Sequence, residues 1–234
     1  MKLLIGTGGK GERLYPLTKD TPKPMIKILG KPVLHYIVDW AKSQDIKEII
    51  MLNGYMANKI QNYFKDGSEF GVRIIHSNEP KPLGSGGSIK YAKKFVDGRF
   101  IFLSGDLIIN VNLKKMILFH ENKNSKITVL VHKSTHPHDS DILDIDENNR
   151  VIRFISKNDE HTNAGDLSNA GLAIIEPEIF DLMEKDEFNF ESYLFPRIIE
   201  KNLDFYAYNT NEFIQDMGTF ERLKKCEEYL IKNI

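Results

Sequence analysis

The chain has 234 residues, 41% hydrophobic and 28% charged, the composition of an ordinary globular protein. Its 32 Lys and Arg against 33 Asp and Glu leave a net charge of -1, which argues against broad electrostatic capture of nucleic acid or an anionic membrane. The one cysteine, Cys226, excludes an internal disulfide and any cysteine-based metal framework.

No Pro/Gly/Ser-rich linker or charge block divides the chain, so one domain over residues 1–234 is expected. Leu3-Leu4-Ile5 is too short for a signal-peptide core, and no stretch approaches the ~20 apolar residues that span a bilayer. A cytoplasmic protein without a membrane partner is therefore expected. In chain order, Leu3–Ile5, Glu48–Leu52, Val72–His76 and Phe100–Leu103 read as strands: short, β-branched or aromatic, and bounded by Gly, Asp or Asn. Val33–Ala41, Ala57–Phe64 and Ser88–Phe95 carry apolar residues at helical spacing, with Leu34, Ile37, Val38 and Ala41 in one stripe. This β-α-β-α order predicts an α/β fold with a parallel sheet flanked by helices and with ligands beyond the carboxyl ends of its strands.

The second half predicts a mixed pattern. Ile127–His132, Ile142–Ile145 and Val151–Ile155 read as strands, the last two joined by a turn at Asp146-Glu147-Asn148-Asn149. Ala170–Ile175 and Phe205–Tyr208 add apolar runs, and Phe190–Ile199 and Phe220–Ile231 read as helices. The polar stretch Ser156–Ser168 reads as a loop. No hexapeptide repeat is present, so no solenoid is expected.

Gly6-Thr7-Gly8-Gly9-Lys10-Gly11-Glu12-Arg13-Leu14 comes directly after the first strand. Gly6, Gly8 and Gly11 formally satisfy the dinucleotide pattern, but that device needs a helix opening at the loop. Pro16, Pro22 and Pro24 forbid one here, and Leu52-Asn53-Gly54 lacks the acidic ribose ligand at the second strand's end. A Walker A loop would need Lys-Ser/Thr where Glu12-Arg13 stands. What remains is an extended loop rich in N–H donors, carrying Arg13 and leading to Lys23 between two prolines. A triphosphate held by backbone amides, Arg13 and Lys23 fits that arrangement, and so does a solvated turn with two surface cations.

Gly8-Gly9-Lys10-Gly11-Glu12-Arg13-Leu14-Tyr15-Pro16-Leu17-Thr18 with Pro22-Lys23-Pro24-Met25 after it resembles the signature of the sugar-1-phosphate nucleotidyltransferases. These enzymes join a sugar 1-phosphate to a nucleoside triphosphate and release pyrophosphate. The likeness runs from the first strand to about residue 225, and it implies a Rossmann-like, glycosyltransferase-A-like, mixed and mainly parallel sheet. In such proteins the loop matching Glu79-Pro80-Lys81-Pro82-Leu83-Gly84-Ser85-Gly86-Gly87-Ser88 holds the nucleobase, with Glu79, Gly84 and Ser85 beside it and Gly8, Gly9 and Gly11 on the nucleotide. A carboxylate at Glu79 can accept from both N1–H and the 2-amino group of guanine, which uracil and thymine cannot supply, so GTP is favoured. Read without the family, this stretch is a helix N-terminal turn capped by Ser85.

Asp106 lies after the strand Phe100–Leu103 behind a glycine, and Asp216 lies in Gln215-Asp216-Met217-Gly218-Thr219 before the last helix. Each alone reads as a turn residue or cap, but together they resemble the family's two metal-binding aspartates and suit octahedral Mg²⁺. The resemblance also places Lys157 on the phosphate of the sugar 1-phosphate, and Asn169 and Gly171 facing the sugar; alone, Lys157 is a solvated charge. His136-Pro137-His138-Asp139-Ser140-Asp141 has no further His or Cys to complete a metal site and reads as a sugar-facing loop or a plain surface turn.

The implied reaction is attack of a sugar 1-phosphate oxygen on the α-phosphorus, with Lys23 on the α-phosphoryl, Arg13 on the departing pyrophosphate and Lys157 on the incoming phosphate. Asp106 and Asp216 would hold Mg²⁺. Within the family, Leu83-Gly84-Ser85-Gly86-Gly87 on a short chain resembles guanylyltransferases for mannose or D-glycero-α-D-manno-heptose 1-phosphate. Uridylyl, cytidylyl or thymidylyl transfer to a hexose 1-phosphate is the alternative; a non-catalytic nucleotide-sugar-binding protein is the rival from another class, and a dehydrogenase is a third. Members are often dimeric or larger, and no residue here marks such an interface. Two positions depart from the common pattern: Glu12 where Thr or Ser is frequent, expected to point away or pair with Arg13 or Lys10, and Thr7 in place of Ala, adding a hydroxyl contact or simply tolerated.

Overall fold

Leu3, Leu4 and Ile5 are all buried, which places the first strand inside a sheet rather than at its edge. The computed structural model describes residues 1–133, 140–159 and 165–233. The chain forms two compact units, each assembled from separate stretches, so no linker exists between them for a sequence to show. Unit 1 comprises Met1–Pro82, Leu103–Val111 and Glu212–Ile234; unit 2 comprises Leu83–Phe102 and Asn112–Asn211.

In unit 1, β1 (Lys2–Gly6) runs parallel to β4 (Glu48–Asn53), with Leu4 opposite Ile50, and β4 runs parallel to β5 (Arg73–Asn78). The crossovers carry α1 (Val33–Ser43) and α2 (Ala57–Phe64), the latter at its predicted bounds. Val33, Leu34, Ile37, Val38 and Ala41 of α1 are buried, as the stripe requires. The end of β6 (Phe100–Ser104) lies beside β1. Two short pairs went unpredicted: the hairpin β2 (Lys27–Ile28) with β3 (Lys31–Pro32), and β7 (Leu107–Asn110) antiparallel to β13 (Phe213–Asp216). The last helix, α6 (Phe220–Asn233), buries Cys226 and Leu230 in one apolar cluster with Leu14, Ile26, Val33, Ile108 and Met217. That cluster ties the glycine-loop segment to both strands of the β7–β13 pair.

In unit 2, β8 (Ile127–Lys133) and β9 (Ile142–Ile145) both pair antiparallel with β11 (Leu167–Ile175). β10 (Val151–Ile155) pairs antiparallel with β9, and β12 (Phe205–Asn209) pairs parallel with β8. The turn between β9 and β10 is the predicted one: Asp146 Oδ1 accepts the Asn148 and Arg150 N–H groups, each at 2.8 Å. α4 (Leu113–Asn122), capped by Asn112 Oδ1 accepting the Lys115 N–H at 3.2 Å, was not predicted. α5 (Phe190–Glu200) opens at its predicted residue, and Phe102, Phe190, Phe195 and Phe205 form an aromatic core beneath it. The architecture is thus a mixed sheet flanked by helices, parallel along β1, β4 and β5 and mainly antiparallel in unit 2. No helix among the described residues is long and apolar enough to cross a membrane.

Two boundaries differ: β11 begins at Leu167, inside the stretch read as a loop and ahead of the expected Ala170, and one helix starts early. The helix expected over Ser88–Phe95 is α3 (Gly84–Tyr91), continued as a 3-10 turn over Ala92–Phe95. It starts four residues early because the Phe188 carbonyl accepts the N–H groups of Gly86 and Gly87, at 3.0 and 3.3 Å, satisfying donors that the first turn leaves unpaired.

Candidate active site

The first glycine loop folds without a helix. A 3-10 turn covers Glu12–Leu14, another covers Lys23–Met25, and α1 begins only at Val33, so the dinucleotide reading fails as expected. Gly11 has φ +67°, and a Cβ there would lie 2.9 Å from both Lys23 Cβ and Thr18 Cγ2, so the loop closes on the Lys23 stem only with glycine. Thr18 Oγ1 donates to the Gly11 carbonyl at 3.0 Å and fixes the same closure.

Lys23, Asp106, Asp216 and Arg13 all belong to unit 1. Lys23 Nζ forms an ion pair with Asp106 Oδ2, and the two side chains are only 14% and 24% exposed. Asp106 sits in the turn between β6 and β7. Asp216 ends β13 opposite Leu107, and the Met217 N–H donates to the Asp106 carbonyl at 3.0 Å. The antiparallel pair that local sequence could not reveal is therefore what brings the two aspartates to neighbouring strand ends. Asp216 Oδ1 accepts the Gly218 N–H at 2.8 Å and lies 3.2 Å from Arg222 Nη1, a partner the sequence reading missed. A Cβ on Gly218 would fall 2.6 Å from Asp216 Oδ1 and 3.1 Å from Arg13 Nη2, so this glycine leaves room for the Arg13 guanidinium near the carboxylate.

The donor set fits a hard divalent cation. Asp106 and Asp216 offer carboxylate oxygens only, and the cations now against them, Lys23 and Arg222, show that both carboxylates demand positive charge. Among the described residues no group of three or more His, Cys, Asp or Glu side chains gathers, so a magnesium ion there would need phosphate or water oxygens to complete its shell. Cys226 lies behind Asp216; burial, reinforced by the charges of Asp216 and Asp106, pushes its thiol up to about 12.

The other end of the loop meets Glu79. A Cβ on Gly8 would lie 3.4 Å from Glu79 Oε1 and 3.6 Å from Gly54 Cα, so the ends of β1, β4 and β5 converge there. Gly9 is open to solvent, with nothing within 4 Å of a Cβ position. Thr7 is buried rather than presented: its Oγ1 lies 2.8 Å from the Leu52 carbonyl and 2.9 Å from Asn53 Oδ1. Its departure from Ala is thus an internal strap. Glu12 is exposed at the start of its turn.

Unit 2 holds the remaining predicted residues. Ser85 does not cap α3; its Oγ accepts the Phe190 N–H at 2.8 Å, and Leu83 occupies the cap position without a side-chain bond. A Cβ on Gly84, at φ +74°, would meet the Phe188 carbonyl at 2.5 Å, and Cβ atoms on Gly86 and Gly87 would strike the Phe188 ring and the Asp186 carbonyl. These three glycines answer to close packing by the 186–190 segment. Lys157, exposed after β10, donates its N–H to Asp141 Oδ1 at 2.9 Å. Asn169 is paired just before a bulge in β11, where the register against β8 shifts between Asn169 and Ala173, and Gly171 lies inside it with φ +76°. His136–Asp139 of the His/Asp segment, and residues 160–164 of the polar stretch, lie outside the described residues.

One unit 2 residue was not singled out. Glu191, in the first turn of α5, accepts from Ser85, and burial pushes its carboxyl up to about 7, with Asp141 adding to the rise and Lys157 opposing it. Nothing in its local pattern, Asn189 capping Ser192 at 3.1 Å, marks that carboxyl as buried.

The glycine loop and the cation–carboxylate pairs sit on an α/β fold, and the chain belongs to the nucleotidyl transferase family, whose model matches residues 2–233. It is 36% identical to the D-glycero-alpha-D-manno-heptose 1-phosphate guanylyltransferase of Campylobacter jejuni, over 83% of this chain and 85% of the relative. It is 31% identical to the UTP--glucose-1-phosphate uridylyltransferase of Synechocystis sp., over 93% of this chain but 60% of that protein. The chain thus spans about three fifths of the length of several relatives it matches. Among solved structures, HddC from Yersinia pseudotuberculosis complexed with GMP-PN superposes with a TM-score of 0.84 at 27% identity, covering 98% of this chain and 99% of that one.

Proposed function

We propose that the protein transfers a nucleoside monophosphate, GMP from GTP, to a sugar 1-phosphate, with D-glycero-α-D-manno-heptose 1-phosphate as the favoured acceptor. The observation that carries the reading is the unit 1 constellation: Lys23 on Asp106, Asp216 on the adjacent strand end, and Arg13 near Asp216, gathered around the same glycine loop. The guanylyltransferase relative at 36% identity supports the choice of nucleotide and sugar, and the uridylyltransferase relative makes UTP the competing donor.

In the reaction a sugar-phosphate oxygen forms a bond to the α-phosphorus while the bond from that phosphorus to the β-bridging oxygen breaks and pyrophosphate leaves. The nucleophile is already an anion near neutral pH, so no general base is required. The protein's work is to offset repulsion between two polyanions and to meet charge as it develops. Lys23 neutralises the α-phosphoryl oxygens, Arg13 the departing pyrophosphate, and Lys157 the incoming phosphate. Gly8, Gly9 and Gly11 give phosphate and base close access to backbone amides, while Asn169 and Gly171 face the sugar hydroxyls. Asp106 and Asp216 would hold magnesium, which when bound supplies positive charge to phosphate oxygens. The product would serve as a glycosyl donor for cell-surface polysaccharide.

The test is purified protein with magnesium, one of the four triphosphates at a time, and a panel of heptose and hexose 1-phosphates, with pyrophosphate release as the readout. GTP with the heptose phosphate should give the highest kcat/KM. A nucleotide sugar that binds tightly while no pyrophosphate appears with any pair would instead identify a sensor.

A further inference from the structure

Three parallel strands end side by side in unit 1, and each runs on into a different residue: Thr7-Gly8 after β1, Gly54 after β4, Glu79 after β5. The backbone at Glu79 is anchored, its N–H donating to the Asn53 carbonyl at 3.1 Å. Asn53 is itself pinned. Its Oδ1 accepts from Thr7 Oγ1, and its Nδ2 reaches His76 Nδ1 at 3.0 Å and Asn78 Oδ1 at 3.1 Å. His76 Nε2 faces the Lys65 carbonyl at 2.6 Å, which can only accept, so the neutral ring carries its proton on Nε2 and presents Nδ1 as an acceptor to Asn53. Every polar atom of the Asn53 amide is thereby committed, and the residue cannot swing towards a ligand without breaking buried bonds.

Glu79's carboxylate lies in the space that Gly54 leaves. A methyl on Gly54 would run into Glu79 Oε1 and lie 3.1 Å from Gly8 Cα, yet Gly54's own φ is not left-handed, so an L-residue could adopt its backbone. The constraint comes from the neighbour and not from the chain: a side chain here would displace the Glu79 carboxylate. We propose that Gly54 is a specificity-determining residue: it leaves the gap in which the Glu79 carboxylate rests against Gly8, with Asn53 fixing the backbone behind it, and so sets preference for a base with two adjacent N–H donors. This rests on the reading of Glu79 as the guanine acceptor.

Equilibrium binding of GTP and of UTP, with magnesium and without sugar phosphate, reads the preference directly as a ratio of dissociation constants. Gly54→Ala should lower the GTP preference on the order of 10-fold or more, as should Glu79→Ala. If Glu79→Ala leaves the ratio at the wild-type value, or the wild type shows no preference, both this inference and the guanine reading are overturned. If Glu79→Ala collapses the ratio and a folded Gly54→Ala does not, only the role of Gly54 is overturned. Should Gly54→Ala fail to fold, the double variant Gly54→Ala/Glu79→Ala removes the colliding carboxylate. Its ratio should then equal that of Glu79→Ala, and any further fall would mean that Gly54 acts by another route.

Discussion

The two units contain glycine clusters that look alike in sequence and have opposite physical causes. In unit 1 the atoms pressing on Gly8, Gly11 and Gly218 are largely parts of polar side chains: Glu79, Lys23 with Thr18, and Asp216 with Arg13. In unit 2 the neighbours of Gly84, Gly86 and Gly87 include the backbone of Phe188 and Asp186 and the Phe188 ring. The first cluster makes room for charge, whereas the second makes room for a neighbouring segment. A Gly-rich run is therefore no guide to phosphate contact until the atoms around it are known.

If unit 1 does the electrostatic work, Asp106→Ala should be the most damaging single change. It removes a metal carboxylate and strands Lys23, and kcat should fall on the order of 10²–10³ in a pyrophosphate-release assay. Wild-type turnover in that variant would end the metal assignment. Thr7→Ala probes the same unit without touching its charges. Losing the hydroxyl that meets Leu52 and Asn53 should lower stability by about 1–3 kcal/mol in urea unfolding, while kcat stays near wild type once folded.

Unit 2 should answer differently. Lys157→Ala is expected to raise KM for the sugar 1-phosphate about tenfold, a loss near 1.4 kcal/mol, and to leave KM for the nucleotide unchanged. Equal increases in both would erase the proposed division between the units. Glu191→Gln reads stability rather than turnover. The folded state holds the Glu191 proton more tightly than the unfolded chain does, so its contribution is present at low pH and is lost as pH rises from the ordinary carboxyl range through about 7. The variant should therefore gain thermal stability over wild type between about pH 5 and about pH 8, and no gain would place that carboxyl in water.

What could be read from the sequence was whatever is decided locally. α2 matches its predicted bounds at Ala57–Phe64 because its apolar spacing and flanking turn residues agree. β9 and β10 match because Asp146 writes its own turn. β7 and β13 were illegible because each is four residues long and stabilised only by a partner far away in the chain. α3 was started late since glycines are poor helix formers, and the carbonyl that rescues its first turn belongs to Phe188. Lys23, Asp106 and Asp216 were legible through resemblance; that Arg222 answers Asp216 was not, because an arginine in a helix carries no sequence mark of its partner.

Cys226 gives the molecule a silent reporter. With its sulfur sealed under α6 and its thiol held protonated well above neutral pH, the native protein should resist maleimide, while any event that peels α6 away should expose a single reactive position. The same inertness means that a cysteine placed elsewhere could carry a fluorophore with little competing background.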